Sequence, residues 1–309
     1  MQLIHKDLLG IQQLTVDEIN LILDTAETMK MVLQANSKRT AHLQGKSIVT
    51  LFYENSTRTR LSFEMASKFM SAASANIATS SSSVNKGESL VDTARTIDMM
   101  ATDILIMRHG ESGAPHLIAP RVKASVINAG DGMNEHPTQA LLDFFTMRQK
   151  KGGIKGLRVA IIGDVLHSRV ARSNLWGLIK LGAEVRLAAP PTMMPVGLAE
   201  MGAVVCPSVR DAVQGADVIM ALRIQLERMR TAMFPSISEY ARFFALDDDA
   251  IRSAKPDAII MHPGPCNHGV EMPTHIYDSS QSVINEQVTN GVAVRMAIMY
   301  LLQARRNVG

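Results

Sequence analysis

The chain has 309 residues, 46% hydrophobic and 20% charged, an ordinary globular composition with enough length for two domains. A net charge of +3, 4% aromatic residues and no Lys/Arg-rich run exclude an evident nucleic-acid surface or base-stacking platform. Cys206 and Cys266 stand apart outside any CxxC pair, which excludes a disulfide framework or a zinc motif, and no stretch approaches the roughly 20 apolar residues of a membrane span. The start, MQLIHKDLLG, lacks a signal-peptide core, so a cytoplasmic protein with free thiols is expected.

In chain order, Thr15 and Glu18 fit a capping box, and Leu21, Ile22, Thr25 and Met29 recur at helical spacing. KSIVTLFY at 46–53 is rich in β-branched and aromatic residues and predicts a buried strand, with a helix from about Thr57. SANIAT then predicts a short strand, the polar run at 80–83 a loop, and ESLVDTARTIDMMA a helix. DILIMR and ASVINAG predict strands. HPTQALLDFFTMRQKKGG predicts a helix with Pro137 in its first turn and glycines at its end. Beyond Gly152 and Gly153 the alternation resumes: strand LRVAIIGD, helix SRVARSNLWGLIKLG, strand AEVRLAAP, then AVVCP, DAVQGAD, VIMALR and DAIIMHPGP. A last long helix covers NEQVTNGVAVRMAIMYLLQARR. Strands alternating with helices predict α/β architecture, two domains each built on a parallel sheet flanked by helices.

Parallel sheets bind ligands at the carboxyl ends of their strands. STRTR, residues 56–60, falls at such an end and at a helix start, where free backbone N–H groups and the helix dipole favour an anion. Hydroxyls add donors, and Arg58 can fork onto a phosphate. The stretch is no Walker A loop. By itself it leaves three readings open: an anion site, a capped helix with solvated arginines, or contact with a nucleic-acid backbone. IIGDVLHSRVARS mimics a dinucleotide turn but lacks GxGxxG, having only Gly163.

Taken together, STRTR, NEHPTQALLD, LRIQ and HPGP resemble the carbamoyltransferases from end to end, and HPTQ with LRIQ resembles the aspartate branch. The ornithine branch carries HPCQ and a cysteine-containing HCLP. The resemblance implies attack of the L-aspartate amine on carbamoyl phosphate, giving N-carbamoyl-L-aspartate and phosphate in pyrimidine biosynthesis; a carbamoyltransferase for another amine such as ornithine is the alternative. It implies no metal and no cofactor.

The resemblance assigns the phosphate to Ser56, Thr57, Arg58 and Thr59. Arg108 and His136 would reach the carbonyl oxygen, His136 as a neutral donor, and Gln139 the carbamoyl amide. Gly264 and Pro265, a candidate cis pair, would lie over the carbamoyl group. Arg58, Thr59, Arg108 and His136 form the implied catalytic set. Arg169, Arg223 and Gln225 would bind aspartate, Glu54 and Arg228 would latch the closed enzyme, and Arg60 and Arg172 would be structural. Ser82 and Lys86 would come from a neighbouring subunit, Lys86 serving both substrates, so a homotrimer with shared sites is implied; regulatory or dihydroorotase subunits stay open. Where relatives with HPGP often continue NRGVE, this chain has Asn267, His268, Gly269, Val270 and Glu271, with less charge at His268. The expected carbamoyl-phosphate domain is 1–134, with the helix 288–309 packing back on it. The expected aspartate domain is 135–287, and the helix after HPTQ and the last helix would bridge the two.

Overall fold

A computed structural model describes residues 2–78, 88–229, 231 and 233–306. It divides into two compact units, residues 1–142 with 289–309, and residues 143–288.

In the first unit the chain forms α1 (Val16–Gln34), β1 (Ser47–Phe52), α2 (Thr57–Phe69), β2 (Ala73–Ala78), α3 (Leu90–Met99), β3 (Ile104–His109), α4 (Ala114–Ile118) and β4 (Ser125–Asp131). α1 opens on the full capping box: the Thr15 hydroxyl accepts from Glu18 N–H, and the Glu18 carboxylate accepts from Thr15 N–H. The four strands are parallel in the order β2-β1-β3-β4. All of β4 and the first four residues of β3 are buried, as expected of strands covered on both faces. One apolar cluster joins Leu51, Leu105 and Val126 of three strands to Ala94 and Ile97 of α3 and Ile118 of α4.

The second unit continues with β5 (Arg158–Ile162), α6 (Arg169–Lys180), β6 (Glu184–Ala188), β7 (Val204–Val205), α7 (Val209–Val213), β8 (Val218–Ala221), α8 (Ile237–Phe244), α9 (Asp248–Ser253), β9 (Ile259–Met261) and α10 (Thr274–Tyr277). Its parallel sheet runs β7-β6-β5-β8-β9. Two helices carry the chain from one unit to the other. The division falls inside α5 (Pro137–Lys151) and inside α11 (Ile284–Arg306).

α4, α9 and α10 are helices that hydrophobic periodicity does not announce, and α8 is one that it does, through Ile237, Tyr240, Ala241 and Phe244 at helical spacing. All four are short, four to eight residues, and local capping defines the larger two. Ser236 accepts from Glu239 N–H to start α8, and Asp247 from Ala250 N–H to start α9.

Candidate active site

Each sheet has one place where the strand order reverses, and ligands of α/β sheets collect there, outside the carboxyl ends. In the first sheet that place lies between β1 and β3, in the second between β5 and β8. The motifs singled out in the sequence emerge at these two places.

At the first, Phe52 pairs with Arg108, so β1 and β3 end level. Tyr53 N–H donates to the Arg108 carbonyl at 2.8 Å and carries that alignment into the loop. α2 begins four residues later. Ser56 takes its N-cap position with φ −159° and ψ 98°, but its hydroxyl makes no cap hydrogen bond. Thr59 is buried, Ser56 and Arg60 are half-buried, and Thr57 and Arg58 are exposed. A hydroxyl at a cap position that does not cap weakens the purely structural reading of STRTR and leaves the donor-rich helix start facing outward chemistry. Arg108 donates to Glu54 Oε1 at 2.6 Å and to the Ala129 carbonyl at 3.3 Å, so it is held between the ends of β1 and β4.

The turn leading to His136 is built by two carboxylates, Asp131 and Glu135, to which the motifs assigned no role. Asp131 is fully buried. It accepts from Asn128 Nδ2 at 2.8 Å, Gly113 N–H at 2.7 Å, Asn134 Nδ2 at 3.0 Å and Glu135 N–H at 3.1 Å. Glu135 in turn accepts from Ile11 N–H at 2.7 Å. His136, just before α5, and Gln139, in its first turn, are both buried, and Gln139 N–H donates to the His136 carbonyl at 3.0 Å.

At the second place, Ile162 pairs with Ala221, so β5 and β8 also end level. After β5, Gly163 has φ +113°, and a Cβ there would lie 2.9 Å from the Tyr240 hydroxyl and 3.0 Å from the Leu222 carbonyl. Ser168 caps α6, and Arg169, its first residue, is buried at 3% exposure, while Arg172 is exposed. After β8, Arg223 is half-buried and pairs with Glu227 Oε1 at 2.6 Å and with Gln225 Oε1 at 3.4 Å. Burial works against ionisation of Glu227, but the Arg223 guanidinium outweighs it and holds the carboxyl below its ordinary range. Gln225 N–H donates to Asp164 Oδ2 at 3.0 Å, and Asp164 Oδ1 meets His167 Nδ1 at 2.9 Å. Arg228 donates to the His167 carbonyl at 3.0 Å.

The loop after β9 holds the cis Gly264–Pro265 bond. His262 N–H donates to Gln287 Oε1 at 3.0 Å, and Gly264 N–H donates to His262 Nδ1 at 2.8 Å. His268 packs edge-on against Tyr277, ring centroids 4.9 Å apart. His262, Cys266 and Glu271 place candidate metal-ligating atoms within 4.8 Å of one another. Their partners fit a hydrogen-bonded cluster instead. The Gly264 amide uses the His262 Nδ1 lone pair, leaving Nε2 as the protonated nitrogen of a neutral ring, and donors already surround both Glu271 oxygens. Ser82 and Lys86 lie outside the described residues.

Residues 6–149 match the model of the aspartate/ornithine carbamoyltransferase carbamoyl-P binding domain, and residues 155–302 that of the Asp/Orn binding domain. The chain is 63% identical to the aspartate carbamoyltransferase catalytic subunit of Ruminiclostridium cellulolyticum, over 99% of this chain and 97% of that one. It superposes with TM-score 0.87 and 30% identity on aspartate transcarbamoylase from Trypanosoma cruzi in complex with carbamoyl aspartate and phosphate, covering 95% of this chain and 94% of that one. Ornithine carbamoyltransferase from Pyrococcus furiosus gives TM-score 0.86 and 30% identity, covering 97% and 98%. The two structural likenesses are equal in fold; the sequence likeness separates them.

Proposed function

The chain belongs to the aspartate/ornithine carbamoyltransferase family, and on that premise we propose that it transfers the carbamoyl group of carbamoyl phosphate to the amine of L-aspartate, with the residues of the two strand-order reversals in the roles that follow. The products are N-carbamoyl-L-aspartate and phosphate, which places the reaction in pyrimidine biosynthesis. The observation that carries aspartate rather than ornithine is the second reversal. Two arginines, Arg169 and Arg223, follow neighbouring strands that end level, which suits a dicarboxylate and would repel an ornithine ammonium.

The first unit holds carbamoyl phosphate. Ser56, Thr57, Arg58 and Thr59, with the start of α2, bind its phosphate. Arg108 and His136 donate to the carbonyl oxygen, where negative charge grows as the amine attacks, and Gln139 binds the amide. One well-aimed donor of this kind is worth about 3 kcal/mol of barrier. The tetrahedral intermediate then expels phosphate, which takes up the proton released by the amine. Arg58, Thr59, Arg108 and His136 are the catalytic set. Rate comes from holding the reactants in line and from donors already in place.

The second unit holds aspartate through Arg169, Arg223 and Gln225. Gly264 and Pro265 lie over the carbamoyl group, the Pro265 side carrying a carbonyl that accepts from its amino group. Glu54 and Arg228 act as a closing latch. Ser82 and Lys86 complete the site of a neighbouring copy, so the working enzyme is a cytoplasmic homotrimer. Purified enzyme given carbamoyl phosphate should form N-carbamoyl-L-aspartate with aspartate, at least 100-fold faster than any product with ornithine, a ratio worth roughly 2.7 kcal/mol. Preference for ornithine would overturn the reading.

A further inference from the structure

Glu271 has no role in the reaction described above, yet its carboxylate accepts four hydrogen bonds. It is 2% exposed. Oε1 accepts from Ile224 N–H at 3.0 Å and Asn267 Nδ2 at 2.7 Å. Oε2 accepts from Asn267 N–H at 2.5 Å and from the Cys266 thiol at 3.7 Å. All four partners are donors, the set a carboxylate satisfies and a carboxamide cannot, because half of an amide is itself a donor.

Ile224 stands between Arg223 and Gln225. Its amide is one of two consecutive loop amides held by buried carboxylates: Ile224 by Glu271, Gln225 by Asp164. Arg223 and Gln225 meet through their side chains at 3.4 Å while Ile224 between them is buried, so how the pair is presented depends on where the Ile224 amide is pinned. Ile224 itself is 1% exposed. We propose that Glu271 is a positioning residue for aspartate: it ties the Arg223–Gln225 loop to the Asn267 end of the loop after β9 and so sets the aim of the Arg223 guanidinium. This rests on the proposed aspartate-binding role of Arg223 and Gln225. Glu271 also holds Cys266 and Asn267, just after the Gly264–Pro265 turn, but the turn keeps anchors of its own on the other side, through His262, Gln287 and the Gln287 bond to Asp143 Oδ1 at 2.8 Å. Loss of the Glu271 contacts therefore acts on aspartate more than on carbamoyl phosphate.

The test is Glu271→Gln, nearly identical in shape, assayed at saturating carbamoyl phosphate with aspartate varied, beside calorimetric binding of carbamoyl phosphate alone. The expected result is an aspartate KM raised at least tenfold, with carbamoyl phosphate Kd within twofold of wild type. An unchanged aspartate KM, or equal weakening of both substrates, overturns the proposal, since a merely stabilising role would move the unfolding midpoint without that split. Should Glu271→Gln not fold, Glu271→Asp keeps the charge and shortens the reach by one methylene. A rise of threefold or more in aspartate KM is then expected, and a wild-type value overturns the proposal. Wild-type enzyme that makes no N-carbamoyl-L-aspartate would instead sink the proposed function, independently of Glu271.

Discussion

Cys266 shows how one buried contact sets a side chain's chemistry. Burial first, and then the neighbouring Glu271 carboxylate, push its thiol up from the ordinary 9.0 to about 12. The folded state thus keeps a proton that the unfolded chain loses. Stability from this group is intact below about pH 9 and is lost as pH rises toward 12. The urea midpoint of wild type should therefore fall more steeply between pH 8 and 10.5 than that of Cys266→Ala; parallel curves would refute this. The sequence did show two isolated thiols, but not the carboxylate beside one of them. Glu271 lies 47 residues from Ile224, and Asp164 lies 61 from Gln225. A lone acid read along the chain looks like a surface charge, because its donors are backbone amides with no sequence signature. STRTR was legible for the opposite reason: strand end, hydroxyls, guanidinium and helix start all lie within a few consecutive residues.

Among the elements, the strand–loop–helix unit β5–Gly163–α6 carries a demand that propensity does not express. Gly163 combines φ +113° with close approach of Tyr240 and the Leu222 carbonyl. Tyr240 is 1% exposed, and its ring packs 5.3 Å from that of Phe234, so it has little room to retreat. Gly163→Ala should cost about 1–3 kcal/mol from backbone strain, with the clash added. A urea unfolding midpoint equal to wild type would show that the backbone yields freely there. The lone glycine of IIGD, unconvincing as a dinucleotide fingerprint, is explained by α8 packing beneath it. α8 itself carried a readable signal, Ser236 followed three residues later by Glu239, the start of a capping box. Strand identities were plain because fully buried parallel strands read as continuous apolar runs, as in the start of β3 and in β8.

For the whole molecule, the proposed sharing of sites between copies makes a prediction that no single chain can satisfy. Lys86→Ala and Arg58→Ala chains, each nearly inactive alone, should regain activity when dissociated together and reassembled, because some interfaces then hold both native residues. Verified mixed trimers without recovery would count against shared sites. The two-domain pattern was visible as repeated strand–helix alternation. The exact division was not, because it falls inside two uninterrupted helices, where no break in periodicity marks it. The final helix has a further consequence. Arg295 donates to Ser62 Oγ at 2.9 Å and stacks 5.1 Å from the Phe63 ring, and Gln303 reaches the Asp103 carbonyl at 3.4 Å. The first unit is thus completed by residues encoded after the whole of the second, whereas residues 143–288 are contiguous. On the ribosome, residues 143–288 are the first to be present in full, and the earlier-begun unit must wait, α2 uncovered, until residues 289–309 have followed them.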